Sequence, residues 1–366
     1  MGFAGLAVLV FLGTLLACVA LVPLAGLAAV RLNVLDHPGG RKIHDRPMPR
    51  LGGLAVFGSF TLVVLSGFWL SRVLVDMAWI RGLLGGSLAL LQDAPLVKGR
   101  LLGLLGGAAV CMVVGLLDDM LGSRFPVPAK AAGQVVAAAV VIASGVRTDL
   151  LPVEWLNVVV TFLWLVGITN AFNLLDNMDG LSSGVAFVAS FVLMLNAWSL
   201  GEQLITLLIA AFMGSLLGFL LFNFHPASVF LGDCGSLFIG FVMASLALLE
   251  RYVSHASSTL FPTVMPVVVL AVPLIDTLSV MAIRLHERRP LYVGDARHLS
   301  HRLVAMGFSR REAVLFLYLT TFALGLGAAS LSDATPWQTA LVLLQTLGFG
   351  LLLLWMMKRR PVEGAR

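Results

Sequence analysis

Six aspartates stand out in a chain that uses charge sparingly. Asp118 and Asp119 are adjacent in "VVGLLDDM". Asp176 and Asp179 lie three apart in "NAFNLLDNMDGLSSG". Asp233 sits in "VFLGDCGSLFIGF", and Asp276 interrupts the apolar "VPLIDTLSV". Like charges about 4 Å apart repel by roughly 4 kcal/mol at an effective dielectric of about 20, so a cation is expected among clustered carboxylates. Asp118 and Asp119 close an apolar run whose helical C-terminus is already negative, which sharpens the need. Oxygen ligands of this kind suit a hard ion such as Mg²⁺, with Mn²⁺ as the alternative. Gly180, Gly184, Gly232 and Gly235 flank two further runs at their starts, where helix N-termini and glycine backbone favour phosphate. Ser182, Ser183 and Ser236 add donors there.

Basic residues complete the set. The polar stretch "RLHERRPLYVGDARHLSHRLVAMGFSRRE" carries Arg284, Arg288 and Arg289, and His298 and His301 share one face if the segment is helical. Arginine forks match pyrophosphate oxygens. Arg41, Lys42 and His44 belong to "DHPGGRKIHDRPMPRLGG". Metal-binding acids, helix N-termini and arginines around one site imply phosphoryl transfer on a large anionic substrate. A site at the bilayer edge implies a lipidic second substrate.

These groups must be positioned by elements built for lipid. Of 366 residues, 59% are hydrophobic and only 12% charged, and the mean hydropathy is +0.98. Apolar runs of about 20 residues recur, each long enough to span a bilayer as a helix. They are continuous rather than alternating, which selects helices over a barrel. Eleven spans are expected at roughly 3–30, 51–71, 99–117, 128–146, 152–169, 181–198, 203–222, 229–249, 262–283, 312–331 and 336–357. Six of the 24 basic residues (Arg72, Arg81, Lys98, Arg100, Arg147 and Arg251) then fall on outer segments and eighteen on inner ones. That bias puts the N-terminus outside and the C-terminus in the cytoplasm. Five of the six aspartates then lie at the cytoplasmic mouth, with Asp276 a few turns deeper. The chain reads as one all-α polytopic domain over 1–366, in a cytoplasmic (inner) membrane. Cys18, Cys111 and Cys234 lie in apolar surroundings without metal or disulfide spacing and are expected as small core residues.

Plainer roles compete at each position. Asp118 and Asp119 could be a solvated helix end. Asp176 and Asp179 could cap the following helix, Asp233 could be an N-cap, and Asp276 could pair with an arginine. Arg310 and Arg311 are expected to serve topology alone. His37, His225, His255 and His286 are expected to be structural or solvated.

Five segments together resemble the polyprenyl-phosphate N-acetylhexosamine-1-phosphate transferases, which include phospho-N-acetylmuramoyl-pentapeptide transferase. They are "DHPGGRKIHDRPMPRLGG" (36–53), "GLLDDM" (115–120), "NAFNLLDNMDGL" (170–181), "FLGDCGSLFIG" (230–240) and "RRPLYVGDARHLSHRL" (288–303), in the family's order. The resemblance implies transfer of a sugar-1-phosphate from a UDP-sugar to undecaprenyl or another polyprenyl phosphate with Mg²⁺. It implies that Asp118, Asp119 and Asp233 are catalytic and bind the metal. Asp176 and Asp179 would shape the nucleotide site, with Lys42 and Asn173 beside them. His298, His301, Arg288 and Arg289 would hold the pyrophosphate. The sequence departs from the family at Gly122, where a third acid is usual, and at Ser300, where a histidine is usual. The histidine spacing is closer to the N-acetylglucosamine branch, so UDP-N-acetylglucosamine is the expected donor. Another UDP-N-acetylhexosamine, including UDP-N-acetylmuramoyl-pentapeptide, is the alternative. A cation-coupled transporter and a non-catalytic scaffold are the competing classes. No nucleic-acid partner is expected, and a homodimer is left open.

Overall fold

A computed structural model of the chain describes residues 2–37, 46–74, 94–252, 261–290, 297–329, 331 and 335–359. The order is α1 (Phe3–Arg31), β1 (Leu35–Asp36), β2 (Met48–Pro49), α2 (Gly52–Leu74), α3 (Ala94–Leu121), α4 (Val127–Ala143), α5 (Glu154–Leu175), α6 (Leu181–Ser199), α7 (Gln203–Asn223) and α8 (Gly232–Leu249). Then follow α9 (Met265–Val269), α10 (Ala271–His286), α11 (Leu299–Ala305), α12 (Arg310–Ala329) and α13 (Pro336–Arg359). Nine described helices are long and apolar enough to cross a membrane. The protein is an all-α, polytopic membrane protein.

The helices start and stop for local reasons. Pro128 stands in the first turn of α4, where a missing N–H costs nothing. Two of the eleven expected spans differ from plain membrane helices. The fourth, α4, has 17 residues, fewer than any of the nine spanning helices. The ninth, expected as one piece over 262–283, is divided at Leu270 into α9 and α10. Pro273 lacks the N–H that would bond Val269, and its ring crowds that carbonyl, so the helix breaks there.

The core is centred on α8, which packs on α2, α3, α5 and α6 and is 83% buried, against 22% for α1 and α13. Glycines let the backbones close up. A Cβ on Gly53 would lie 2.2 Å from the backbone nitrogen of Gly235, and one on Gly115 2.2 Å from the Asp233 carbonyl. Exposed leucines such as Leu16, Leu319 and Leu344 face outward, as a lipid solvent permits. All three cysteines are free and buried, as expected. The stretch 72–98 between the second and third spans, which by its glycine-broken sequence could form an extracytoplasmic amphipathic or re-entrant piece, falls largely outside the described residues.

Candidate active site

Four helix ends meet at one point. The C-terminus of α3 brings Asp118, the first turns of α4 bring Lys130, the last turn of α5 brings Asn173, and the start of α8 brings Asp233. The Lys130 ammonium donates to Asp118 Oδ2 (2.8 Å), Asp233 Oδ2 (2.5 Å) and Asn173 Oδ1 (3.2 Å). Asn173 Nδ2 donates in turn to Asp233 Oδ1 (3.1 Å) and Ser236 Oγ (2.8 Å). One cation thus offsets two carboxylates drawn from segments 115 residues apart in sequence.

Asp119 has a different task. Its two oxygens accept from the backbone N–H groups of Asp233 (3.0 Å) and Cys234 (2.9 Å). The N-terminus of α8 was expected to receive phosphate; two of its free N–H groups are instead satisfied by the neighbouring helix. Gly232 has φ +73°, and a Cβ there would meet Arg50 O at 2.1 Å and Asp119 Oδ2 at 2.6 Å, so only glycine fits. Arg50 stands over the same carboxylate, with Nη2 3.6 Å from Asp119 Oδ1 and Nη1 3.6 Å from Asp36 Oδ1.

A cavity of about 220 Å³ opens beside this network, lined by Asp36, Arg50, Asp176, Asn177, Asp179 and Asp233 among others. The turn 176–180 forms one wall. Asp179 Oδ2 accepts from Ala227 N (3.2 Å) and pairs with His225 Nδ1 (2.7 Å). Gly180, at φ +75°, donates its N–H to Asn223 Oδ1 (2.9 Å), and its carbonyl accepts from the Tyr318 hydroxyl. His225, expected to be structural or solvated, has a structural place here: it braces a cavity wall through Asp179. Burial, then the Asp233 carboxylate, pushes the Asp176 carboxyl up to about 8; Arg50 opposes this, and Asp119 and Asp179 add to it.

The segment that follows α10 docks from behind. Asp276, buried in α10, pairs through Oδ2 with His298 Nδ1 (2.7 Å) and accepts the Leu299 N–H on Oδ1 (2.6 Å). The partner of this intramembrane acid is thus a histidine and a helix start rather than an arginine. Ser300 Oγ donates to Asn177 Oδ1 (2.5 Å), which ties α11 to the cavity wall at the position where the family usually has histidine. His301 follows in the first turn of α11.

The structure gathers Asp118, Asn173 and Asp233 at one point and sets Asp119, Asp176 and Asp179 around it. It does not bring Arg288 and Arg289 to the cavity. Both are exposed beyond α10, and Arg289 pairs with Glu287 at 3.2 Å. Lys42 lies outside the described residues. Sequence reasoning missed Lys130, Arg50, Asp36 and Asn223. A basic residue on an inner segment is expected for topology alone, so neither Lys130 nor Arg50 carried a distinguishing signal.

The donor set fits a hard divalent ion of limited protein ligation. Oxygens of Asp118, Asp233 and Asn173 already surround an ammonium, and Mg²⁺ commonly takes one or two carboxylates plus phosphate oxygens. Among the described residues, no three His, Cys, Asp or Glu side chains converge to hold a metal by themselves. Of the expected triad, Asp118 and Asp233 share the Lys130 ammonium, while Asp119 accepts two backbone N–H groups at the start of α8.

Comparison with known proteins places the chain among named relatives. Residues 101–250 match the model of glycosyl transferase family 4. The chain is 33% identical over 346 residues to a probable undecaprenyl-phosphate N-acetylglucosaminyl 1-phosphate transferase of Bacillus subtilis, covering 92% of this chain and 88% of the relative. It is 31% identical over 348 residues to a decaprenyl-phosphate N-acetylglucosaminephosphotransferase of Mycobacterium leprae, covering 88% and 82%. It is 32% identical over 229 residues to a phospho-N-acetylmuramoyl-pentapeptide-transferase of Shouchella clausii, covering 57% and 66%.

Proposed function

The chain belongs to glycosyl transferase family 4, and from that premise we propose that it transfers N-acetylglucosamine-1-phosphate from UDP-N-acetylglucosamine to a polyprenyl phosphate. The products are a lipid pyrophosphate sugar and UMP. The single observation that carries this reading is the Lys130 network, which joins Asp118, Asn173 and Asp233 beside a polar cavity at the ends of membrane helices. The relatives named for N-acetylglucosamine transfer are matched over most of the chain, which supports that sugar over the muramoyl-pentapeptide.

In this reading an oxygen of the lipid phosphate attacks the β-phosphorus of the donor. The bond from that phosphorus to the bridging oxygen breaks, and UMP leaves with the oxygen. Asp118, Asp233 and Asn173 would hold Mg²⁺, which when bound supplies charge neutralisation for the diphosphate and the leaving UMP. Lys130 balances the two carboxylates and fixes their orientation, so that an anionic nucleophile approaches a neutralised surface. That both acids share one ammonium supports direct attack by the lipid phosphate over a covalent aspartyl route. Asp179, held by His225, and Gly180, held by Asn223, keep the cavity wall in place for the nucleotide. Asp276 and Ser300 hold α11 against that wall.

The basic bias of the inner segments supports a cytoplasmic active site in an inner membrane. The test is UMP release by purified protein. The proposal expects release only when UDP-N-acetylglucosamine, polyprenyl phosphate and Mg²⁺ are all present, and preferred competition by that donor across a panel of UDP-sugars. Release without the lipid, or none with all three, contradicts it.

A further inference from the structure

We propose that Arg50 is a diphosphate-binding residue, held in reserve between Asp36 and Asp119; the inference rests on the transferase reading above and names a ligand of the same site. A sugar nucleotide entering the cavity meets four carboxylates, those of Asp36, Asp176, Asp179 and Asp233. Among the described lining residues, Arg50 is the one basic side chain. Lys130 is committed, since its three donors meet Asp118, Asp233 and Asn173. Arg288 and Arg289 lie exposed and away from the cavity.

Arg50 is held more loosely. Both of its carboxylate contacts are 3.6 Å long, beyond the hydrogen-bond range of about 2.7–3.2 Å. A guanidinium presents five donors in a planar fork that matches phosphate oxygens two at a time. The backbone beneath it is fixed. Arg50 N donates to Val34 O (3.3 Å), Phe230 N to Pro49 O (2.8 Å), and Gly52 N to Phe230 O (3.0 Å). The Arg50 carbonyl is wedged against Gly232 at the start of α8. A fixed root and a loosely held head let the fork turn onto an anion without moving the chain. Asp119 keeps its two backbone donors when the fork turns away, so Asp36 is the group that competes with the ligand.

The probes are inorganic pyrophosphate and UDP, each titrated with Mg²⁺ into purified wild-type, Arg50→Gln, Arg50→Lys and Asp36→Asn proteins by calorimetry. Arg50→Gln is expected to weaken both ligands tenfold or more, and Arg50→Lys to recover part of the loss. Asp36→Asn is expected to tighten both severalfold, a gain that misfolding cannot produce. Wild-type affinity in Arg50→Gln, no gain in Asp36→Asn, or no pyrophosphate binding to wild-type protein overturns the inference. Pyrophosphate binding that depends on Arg50, in a protein that releases no UMP, would sink the transferase reading and leave this one standing. UMP release with unaltered kinetics in Arg50→Gln would do the reverse.

Discussion

Lys130 is a single side chain on which two others depend. Its removal leaves Asp118 and Asp233 facing one another, with side chains only 20% and 25% exposed. Breaking a buried pair costs about 3–5 kcal/mol, and partial exposure puts this one at the lower end, about 3 kcal/mol. Lys130→Met is therefore expected to lower the melting temperature in detergent and to reduce UMP release more than a hundredfold. Lys130→Arg, with the charge kept but the geometry altered, should recover stability before activity. At the opposite end of the molecule, burial pushes the Glu250 carboxyl up to about 8, against the donors Asn196 and Tyr252. An acid whose folded pKa lies above its unfolded value stabilises the fold at low pH and loses that contribution as pH rises from about 4.5 to about 8. The melting temperature should fall across that window, and Glu250→Gln should flatten the profile. The acids were legible in sequence because a carboxylate in an apolar chain demands a reason. Lys130 and Arg50 were not, because inner-facing cations are common for topology alone and their partners are remote in sequence. His225 was hidden for the same reason, since Asp179 lies 46 residues away.

Helices are placed by glycines and by polar latches rather than by apolar pattern alone. Gly115 lets α3 run against the start of α8, so a methyl group there strikes the Asp233 carbonyl at 2.2 Å. Gly115→Ala is expected to cost about 1–3 kcal/mol by overpacking and to displace Asp233 from Lys130, lowering activity and melting temperature together. Asp276 latches α11 from within α10. Asp276→Ala removes both its bonds to the segment, so backbone amides over 299–305 should exchange hydrogen faster and activity should fall at least tenfold; Asp276→Asn should restore the protection. Equal exchange in Asp276→Ala would show that the latch does nothing. The break in the ninth span was readable at Pro266 and Pro273, yet hydropathy alone merged the two pieces. The start of α8 illustrates the converse limit. Its glycines and its N-terminus suggested a phosphate site, and only the folded neighbour reveals that Asp119 already satisfies two of its N–H groups.

Across the whole molecule, lipid acts as the solvent that made the architecture legible. Apart from the divided ninth span, apolar runs translated into helices whose ends lie within six residues of the expected bounds, because an unpaired backbone is not tolerated in hydrocarbon. What could not be read was convergence: which helix ends share a point depends on packing around α8. The proposed orientation predicts that a cysteine at Arg124, exposed after α3, is shielded from a membrane-impermeant maleimide in intact cells. One at Asp149, whose side chain is 85% exposed on the other face, should react. The native thiols are buried and provide a quiet background. The reverse labelling pattern would invert the topology and move the site outside. The most direct measurement follows the transferred group itself, with donor labelled at the β-phosphate presented to wild-type and Asp233→Asn protein together with polyprenyl phosphate and Mg²⁺. The account predicts label in the lipid fraction for wild type and near-complete loss for Asp233→Asn in a folded protein; lipid labelling that is undiminished by the substitution would contradict it.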